Sequence, residues 1–398
     1  MPRSDHLPHL PGLDVLRAVA ILWVMGYHLV SHGPRLPALA NLGWMGVDLF
    51  FVLSGFLVGG QVLAACARES GPDWRDYALR RALRVLPAYL AVLGLYQWLP
   101  AWRESPGLAP AWQFLTFTSN LFPDYARHAA FSHAWSLCVE EHFYLLLPLA
   151  AIALSRRPSL RKSAWFCVAL LVGGMLARGW AWYAQVQPYL AVTSGPDWFF
   201  LRYIEHVYNP TYARLDGLLA GVALAGVRQF RPHWWCWMTR RGWFFLGAGV
   251  AGVALASQLF RDPTGVLAAV AGFPVLSVSL ASVLVGMAST AILPGRLVVP
   301  GARALATLAF SLYLTHKAVY HLVDIHAGAW FDGANMLALV SYNAAALLVA
   351  TALYMVVERP GLRLRVHLVP WSKGVTSKAT EDSPGPGAVN PLSPPPPA

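Results

Sequence analysis

Ten apolar segments of about bilayer length follow one another along the chain, and they restrict the fold more than any other feature. A helix needs about 20 mostly apolar residues to cross a bilayer. The 398-residue chain is 57% hydrophobic and 12% charged, against about 45–50% and 25% in soluble domains. We therefore predict an all-α, polytopic membrane protein. The ten predicted spans are residues 13–31, 42–64, 83–100, 134–154, 163–184, 211–227, 243–259, 264–288, 303–326 and 336–357.

Lysine and arginine are unevenly distributed among the connections between these spans. Fifteen lie in or beside the connections after spans two, four, six and eight, and five follow the odd-numbered spans. Positively charged connections stay in the cytoplasm, so both termini are predicted to be cytoplasmic. The same bias explains the net charge of +11 without a nucleic acid partner. Residues 1–365 are predicted to form the membrane domain, and the Pro-rich segment 366–398 a disordered cytoplasmic tail.

The sequence gives little indication of disulfide bonds, a metal site or a cleavable signal peptide. Its four cysteines have no paired spacing, so we predict neither a disulfide framework nor a metal site. Asp14 and Arg17 interrupt the first apolar segment and no clear cleavage site follows it, so no cleavable signal peptide is expected. No tightly bound cofactor is predicted.

The first span carries polar residues where lipid disfavours them. Arg17 and His28 are eleven residues apart, close to three helical turns, so they share one face and lie about 16 Å apart along the axis. Ionisable residues inside a membrane usually face a partner or a cavity and often mark a functional path. Two plainer interpretations remain: Arg17 pairs with Asp14 one turn earlier, and His28 is a helix–helix hydrogen-bonding group.

The predicted orientation sorts the other polar residues by membrane side. Arg80, Arg81 and Arg84 lie at the cytoplasmic start of span three, where they share a helical face that suits phosphate. Ordinary anchoring by positive charge explains them equally well. Ser54 and Gly55 in span two are expected to allow close helix packing. Histidine and carboxylate groups gather on the outer side, and further polar candidates there or near mid-membrane are Glu140, Arg214, Ser311 and Tyr313.

Seven sequence blocks occur in an order that resembles the acyltransferase-3 family of integral membrane acyltransferases. They run from Leu13 to Pro360 and are individually weak but specific as a set. The resemblance implies a fold of roughly ten helices in a bacterial inner membrane. It also implies acyl-CoA, commonly acetyl-CoA, as donor and a hydroxyl of a glycan, glycolipid or secondary metabolite as acceptor. The blocks are LDVLRAVAILWVMGYH, GVDLFFVLSGFL, RRALRVLPAY, HAWSLCVEEHFYLLLP, RLDGLLAGV, FSLYLTH and VERP.

The resemblance also assigns roles to individual residues. The family's basic residue and histidine correspond to Arg17 and His28, its Arg-x-x-Arg pair to Arg81 and Arg84, and its acidic residue to Glu140. We hypothesise that these arginines, assisted by Arg17 or Arg80, bind the CoA phosphates. His28 would act as general base or as covalent acyl carrier, with Glu140 or Asp14 orienting its ring. Arg214, Ser311 and Tyr313 are candidates for acceptor binding or oxyanion stabilisation.

Two other classes of protein remain compatible with the residues alone. A transporter or flippase would also line a polar path with intramembrane charge, although neither inverted repeats nor paired broken helices are clear in this chain. A scaffold with a degenerate site is the third possibility, and the candidate residues listed above count against it.

Overall fold

The computed structural model describes residues 10–68, 71–155, 159–192, 194–294, 299–331 and 335–368. These residues form helices joined by loops, with no strand among them. Ten long helices coincide with the ten predicted spans. They are α1 Pro11–Leu29, α2 Met45–Cys66, α3 Trp74–Trp98, α4 Trp135–Ser155, α5 Leu160–Ala181, α6 Asp216–Phe230, α7 Gly242–Leu259, α8 Phe273–Met287, α9 Ala302–Ala327 and α10 Asn335–Leu353.

Seven of these helices lie in segments that are long and apolar enough to cross a membrane, namely α1, α2, α4, α5, α7, α8 and α10. The all-α, polytopic membrane fold is therefore confirmed. Among the other three, α6 has only 15 residues, whereas α3 and α9 carry polar side chains that lower their hydropathy. The total number of spans and the side of each terminus stay predictions.

Several predicted boundaries differ from the structure. Helix α3 begins at Trp74, before the predicted start at residue 83, because Asp73 caps it by accepting a hydrogen bond from the Asp76 N–H at 3.0 Å. Helix α6 begins at Asp216 rather than at residue 211, since a short 3₁₀ turn at Thr211–Ala213 precedes it. Of the predicted tail, residues 369–398 lie outside the described residues, and the last helix, Arg359–Leu368, ends just beyond the predicted boundary at 365.

Close packing of α2 on α6 forms the centre of the bundle, with α1 and α4 against α2 and with α9 against α1. Glycine makes the approach of α2 and α6 possible. A methyl group at Gly55 would overlap the carbonyl oxygen of Leu218, and one at Gly221 would overlap that of Val52. Small residues of this kind let membrane helices approach each other closely, which confirms the packing role predicted for Gly55.

Two buried ion pairs join the central helices to their neighbours. Arg214 donates to Asp48 Oδ1 at 2.7 Å, and both side chains are almost fully buried. Arg178 on α5 donates to both carboxylate oxygens of Asp216, at 2.7 and 3.0 Å, and also to the backbone carbonyls of Ala213 and Ala269. Removing one member of such a pair leaves an uncompensated charge in an apolar interior, so these pairs constrain how the helices can pack.

Replacement of Asp48 by alanine is expected to destabilise the protein by about 3–5 kcal/mol, because it strands the buried Arg214 guanidinium. Thermal unfolding of the purified protein in detergent would measure this as a lower midpoint. A second substitution, Arg214→Met, removes the stranded charge and should recover most of the loss. An unchanged midpoint for Asp48→Ala alone would contradict a stabilising role for the pair.

Candidate active site

Three histidines meet on the predicted outer side of the bundle and form what we call the histidine cluster: His28 of α1, His316 of α9, and His133 just before α4. The Nδ1 atom of His28 lies 2.9 Å from the Nε2 atom of His316, and their ring centroids are 4.9 Å apart. The ring of His133 lies 5.5 Å from that of His316. Helices α1 and α9 pack side by side, so this contact joins two of the principal helices.

The hydrogen bonds around His316 determine which nitrogen of His28 is free. His316 Nδ1 lies 2.9 and 3.0 Å from the carbonyl oxygens of Leu312 and Tyr313. A carbonyl oxygen can only accept, so Nδ1 carries the proton and Nε2 of the neutral ring accepts. His28 must then donate from its Nδ1–H to His316. The Nε2 atom of His28 consequently keeps a lone pair, as a general base or nucleophile requires.

Tyr313 and His133 brace this arrangement. The Tyr313 hydroxyl donates to the His133 carbonyl oxygen at 3.0 Å and lies 2.5 Å from Ser136 Oγ. His133 Nε2 lies 3.3 Å from the carbonyl oxygen of Leu314. Because a carbonyl oxygen can only accept, this nitrogen carries a proton and donates. Tyr313, predicted to bind the acceptor or an oxyanion, is thus part of the wall that holds α4 and α9 together beside the histidine cluster.

Lys317 adds a positive charge next to the histidine cluster. Its Nζ atom lies 3.1 Å from Glu104 Oε1 and donates to Ser132 Oγ at 2.8 Å. The other carboxylate oxygen of Glu104 accepts from the Tyr96 hydroxyl at 2.8 Å. These bonds fasten segment 100–131, which is predicted to lie on the outer side, to α3 and α9. Lys317 directly follows His316 in the sequence of α9.

A second group of polar residues lies on the predicted cytoplasmic side, and we call it the arginine cluster: Arg17, Arg81, Arg84, Glu140 and Glu358. The Arg81 guanidinium stacks on the Tyr144 ring at 3.7 Å, and its buried Nε has no hydrogen-bond partner in the described structure. Arg84 and Arg17 lie within electrostatic range of each other and of Glu358. A third carboxyl group, that of Glu141, also lies within electrostatic range of Arg81. The three guanidinium groups nevertheless offer the paired donors that bind an anionic ligand.

Side chains from other helices hold the two carboxyl groups in place. Glu140 accepts from Ser54 at 2.9 Å and from the Tyr144 hydroxyl at 2.9 Å. Glu358 accepts from Ser311 at 2.7 Å, and it lies in the π-helical turn Tyr354–Glu358. Such a turn shifts the angular position of the side chains that follow it, and π turns are frequent at functional sites. Ser311 therefore supports the arginine cluster rather than the outer end of α9.

The remaining predicted site residues lie elsewhere. Asp14 is on the same helix as His28 but about 21 Å away along the axis, and it lines a cavity of about 300 Å³ with Arg17. Glu140, which was predicted to lie on the outer side or near mid-membrane, is instead held in the arginine cluster. His316 takes the position beside His28 that the sequence analysis offered to Asp14 or Glu140. Arg80 pairs with Asp76 at 2.8 Å on its own helix.

Arg214 was predicted to bind the acceptor or an oxyanion. The structure instead holds it in the buried ion pair with Asp48 and stacks it over Phe273 at 4.1 Å, which favours a structural role.

Sequence reasoning missed three members of this arrangement. His316 ends the FSLYLTH block and Glu358 belongs to the VERP block, so both were visible as parts of motifs but not as partners of His28 or the arginines. Lys317 directly follows the FSLYLTH block. Only a pairing of distant helices reveals their positions, since 288 residues separate His28 from His316.

Comparison with known proteins identifies the class. The family model described as Acyltransferase domain, of the acyltransferase-3 family, matches residues 10–355. The chain therefore belongs to the acyltransferase-3 family, which confirms the resemblance and the predicted enzyme class and disfavours the transporter. It is a multi-pass integral membrane protein. No solved structure matches the chain significantly.

Three bacterial relatives illustrate the family. The chain is 34% identical over 160 residues to Putative peptidoglycan O-acetyltransferase YrhL of Bacillus subtilis, covering 37% of this chain and 24% of the relative. It is 28% identical over 236 residues to peptidoglycan O-acetyltransferase OatA of Listeria monocytogenes, with 56% and 34% covered. It is 30% identical over 183 residues to O-acetyltransferase OatA of Staphylococcus aureus, with 42% and 29% covered. The aligned part thus spans between 24% and 34% of each relative.

Proposed function

We propose that the protein transfers an acyl group, acetyl being the expected one, from cytoplasmic acyl-CoA to a hydroxyl of a glycan on the outer side of the membrane. The observation that carries the proposal is the His28–His316 hydrogen bond at one end of α1, with Arg17 of the arginine cluster toward its other end. This arrangement supports a donor anchored at the cytoplasmic side and a reactive centre near the outer side. The names of the three relatives support O-acetylation and a glycan acceptor.

At the donor end, Arg81 and Arg84 are the proposed ligands of the CoA phosphates. Guanidinium groups bind phosphate through paired, charge-assisted hydrogen bonds, and stacking on Tyr144 holds Arg81 in position. Arg17 extends the same positive surface along α1. The distance from Arg17 to His28, about 16 Å along the helix, is comparable to an extended pantetheine arm. The thioester would then lie beside His28.

At the reactive end, His28 Nε2 accepts the proton of the acceptor hydroxyl as its oxygen attacks the thioester carbonyl carbon. The carbon–sulfur bond then breaks, and the CoA thiolate leaves and takes up the proton from His28. His316 accepts the Nδ1–H bond of His28 and thereby keeps the lone pair of Nε2 directed at the substrate. Lys317, which is paired with Glu104 at 3.1 Å, follows His316 directly and is the proposed source of positive charge for the developing oxyanion.

Acyl transfer by the purified protein would test the proposal directly. With [¹⁴C]acetyl-CoA and isolated peptidoglycan, we expect labelled glycan and an equal amount of free CoA, both dependent on the glycan. Mild alkali should release the label as acetate because an ester has formed. The matched control is the same reaction with the Arg68→Ala and Arg75→Ala variant, whose substituted side chains are exposed and lie on the predicted cytoplasmic side. CoA release without labelled glycan would contradict transfer to this acceptor.

A further inference from the structure

A cavity of about 190 Å³ lies within the outer segment 100–131, in the described part of the chain, and none of the proposed chemistry uses it. Two of its residues, Phe131 and Ser132, directly precede His133 of the histidine cluster. Ser132 accepts the Lys317 hydrogen bond at 2.8 Å, and the Phe131 ring meets that of His133 edge-on at 5.1 Å. The outer cavity and the reactive centre therefore share one wall.

The backbone at this wall is strained and firmly held. Phe131 has φ of 57°, in the left-handed region that a bulky residue rarely adopts. Its ring stacks on Tyr96 at 4.4 Å, and its N–H donates to Glu104 Oε1 at 3.2 Å. Strain of this kind persists only where surrounding contacts over-determine it, and it concentrates at functional sites.

Gln113 belongs to the cavity lining, and its side-chain amide carries an oxygen without a hydrogen-bond partner among the described residues. Its side chain is 9% exposed, and its Oε1 atom is buried and unpaired in the described structure. An unpaired buried oxygen is unfavourable unless a ligand or a water molecule satisfies it. Tyr125 lies nearby, and its hydroxyl accepts from Asn209 at 2.6 Å. Burial raises the pKa of the Tyr125 hydroxyl, so it stays neutral and keeps its own proton to donate.

The chemistry of the lining selects the kind of ligand. The described lining has one carboxylate, Asp124, and a histidine, but neither lysine nor arginine, so it does not suit a phosphate or other anion. Amide, hydroxyl, carboxylate and imidazole groups instead offer both donors and acceptors around a small volume. At the rim, the exposed rings of Trp112 and Phe122 lie 6.0 Å apart. A sugar ring presents hydroxyls at its edge and an apolar face that packs on such rings.

We propose that this outer cavity is the acceptor subsite, and that it holds a neutral hexose or N-acetylhexosamine unit of the glycan between Gln113 and the Phe122 ring. The inference rests on the proposed function, because it assigns the acceptor position for that reaction. The sugar bound here orders the chain so that a neighbouring hydroxyl reaches His28 past the Phe131–Ser132 wall. Segment 100–131 is then the element that selects the acceptor.

The tetramer of β-1,4-linked N-acetylglucosamine is a soluble probe for this subsite. We expect Gln113→Leu and Phe122→Ala each to raise its KM as acceptor about tenfold, because each removes a contact that the sugar would make. The KM for acetyl-CoA and the kcat at saturating tetramer should stay as in the wild type. The control is Trp98→Ala, another exposed aromatic residue at the outer end of α3, 82% exposed, which lies outside the cavity lining.

Equilibrium dialysis of labelled tetramer against the wild-type protein and both cavity variants separates binding from chemistry. Weaker binding to the two variants, with unchanged binding to Trp98→Ala, supports the subsite even in the absence of turnover. The subsite is ruled out if the wild type does not bind the tetramer, or if the wild type, the two cavity variants and Trp98→Ala bind it equally. It is also ruled out if Trp98→Ala loses as much binding as the cavity variants, because the aromatic residues would then act at the lipid interface. Failure of transfer to any glycan, with binding intact, would instead contradict the proposed function.

Discussion

Replacement of His28 by alanine is expected to lower the rate of acyl transfer by about 10²–10⁴-fold, the usual contribution of a general base. Acyl-CoA should still bind, because the arginine cluster that would hold its phosphates lies about three helical turns away. Single-turnover transfer from labelled acetyl-CoA, together with equilibrium binding of a non-hydrolysable acyl-CoA, measures the two effects separately. Near-normal turnover in the purified variant would rule out His28 as the base.

Two further histidine variants sharpen this result. His32→Ala is the matched control, because His32 follows α1 by less than one turn but pairs with Asp324 at 3.7 Å instead of His316; it should keep full activity. His316→Ala should lower kcat about tenfold with little change in the KM for acyl-CoA, since it removes the acceptor of the His28 hydrogen bond. His316→Gln offers a carbonyl acceptor and should recover part of that loss. Equal activity of His316→Ala and wild type would exclude the positioning role.

The double substitution Arg81→Ala and Arg84→Ala is expected to weaken acyl-CoA binding by about a hundredfold or more. Each lost charge-assisted hydrogen bond contributes about 1.5–3 kcal/mol, and about 1.4 kcal/mol corresponds to a factor of ten. Calorimetric titration with acyl-CoA would measure the dissociation constant. Free 3′,5′-ADP should show the same loss if the arginines contact the nucleotide phosphates.

The control for this experiment is the double variant Arg68→Ala and Arg75→Ala, which removes the same charge from exposed positions near the predicted cytoplasmic ends of α2 and α3. It should bind acyl-CoA as the wild type does. Equal weakening in the two double variants would mean that the arginines act only through general positive charge. Unchanged affinity for acyl-CoA in the Arg81 and Arg84 variant would mean that the two arginines only anchor the helix end at the membrane surface.

The length of the apolar segments and the order of the sequence motifs predicted most of the architecture correctly. The apolar segments coincide with ten helices, because a helix buried in lipid needs the same long apolar run whatever its neighbours are. Boundaries failed where polar residues belong to a helix, as at the start of α3, whose capping residue Asp73 lies before the apolar run. The Gly55 contact was predictable too, since small residues are the usual means of close helix approach.

Partnerships between distant residues were much harder to predict. The identity of the residue beside His28 depends on how α1 packs against α9, and no periodicity within either helix contains that information. Arg214 illustrates the reverse case: its position in a motif suggested substrate binding, whereas the structure buries it against Asp48. A charged side chain near mid-membrane can bind a substrate or another side chain, and only its neighbours distinguish the two.

The order of motifs and the length of the apolar segments were thus enough to predict a helical membrane protein of the acyltransferase-3 family, with His28 and a set of arginines on separate parts of the helices. Both features are properties of contiguous sequence. Tertiary packing alone decided that His316 lies within hydrogen-bond distance of His28, that Glu358 and Ser311 join the arginine cluster, and that segment 100–131 encloses a cavity near the histidines. Each of these depends on side chains brought together from helices far apart in the chain, where packing geometry rather than sequence spacing determines the contact.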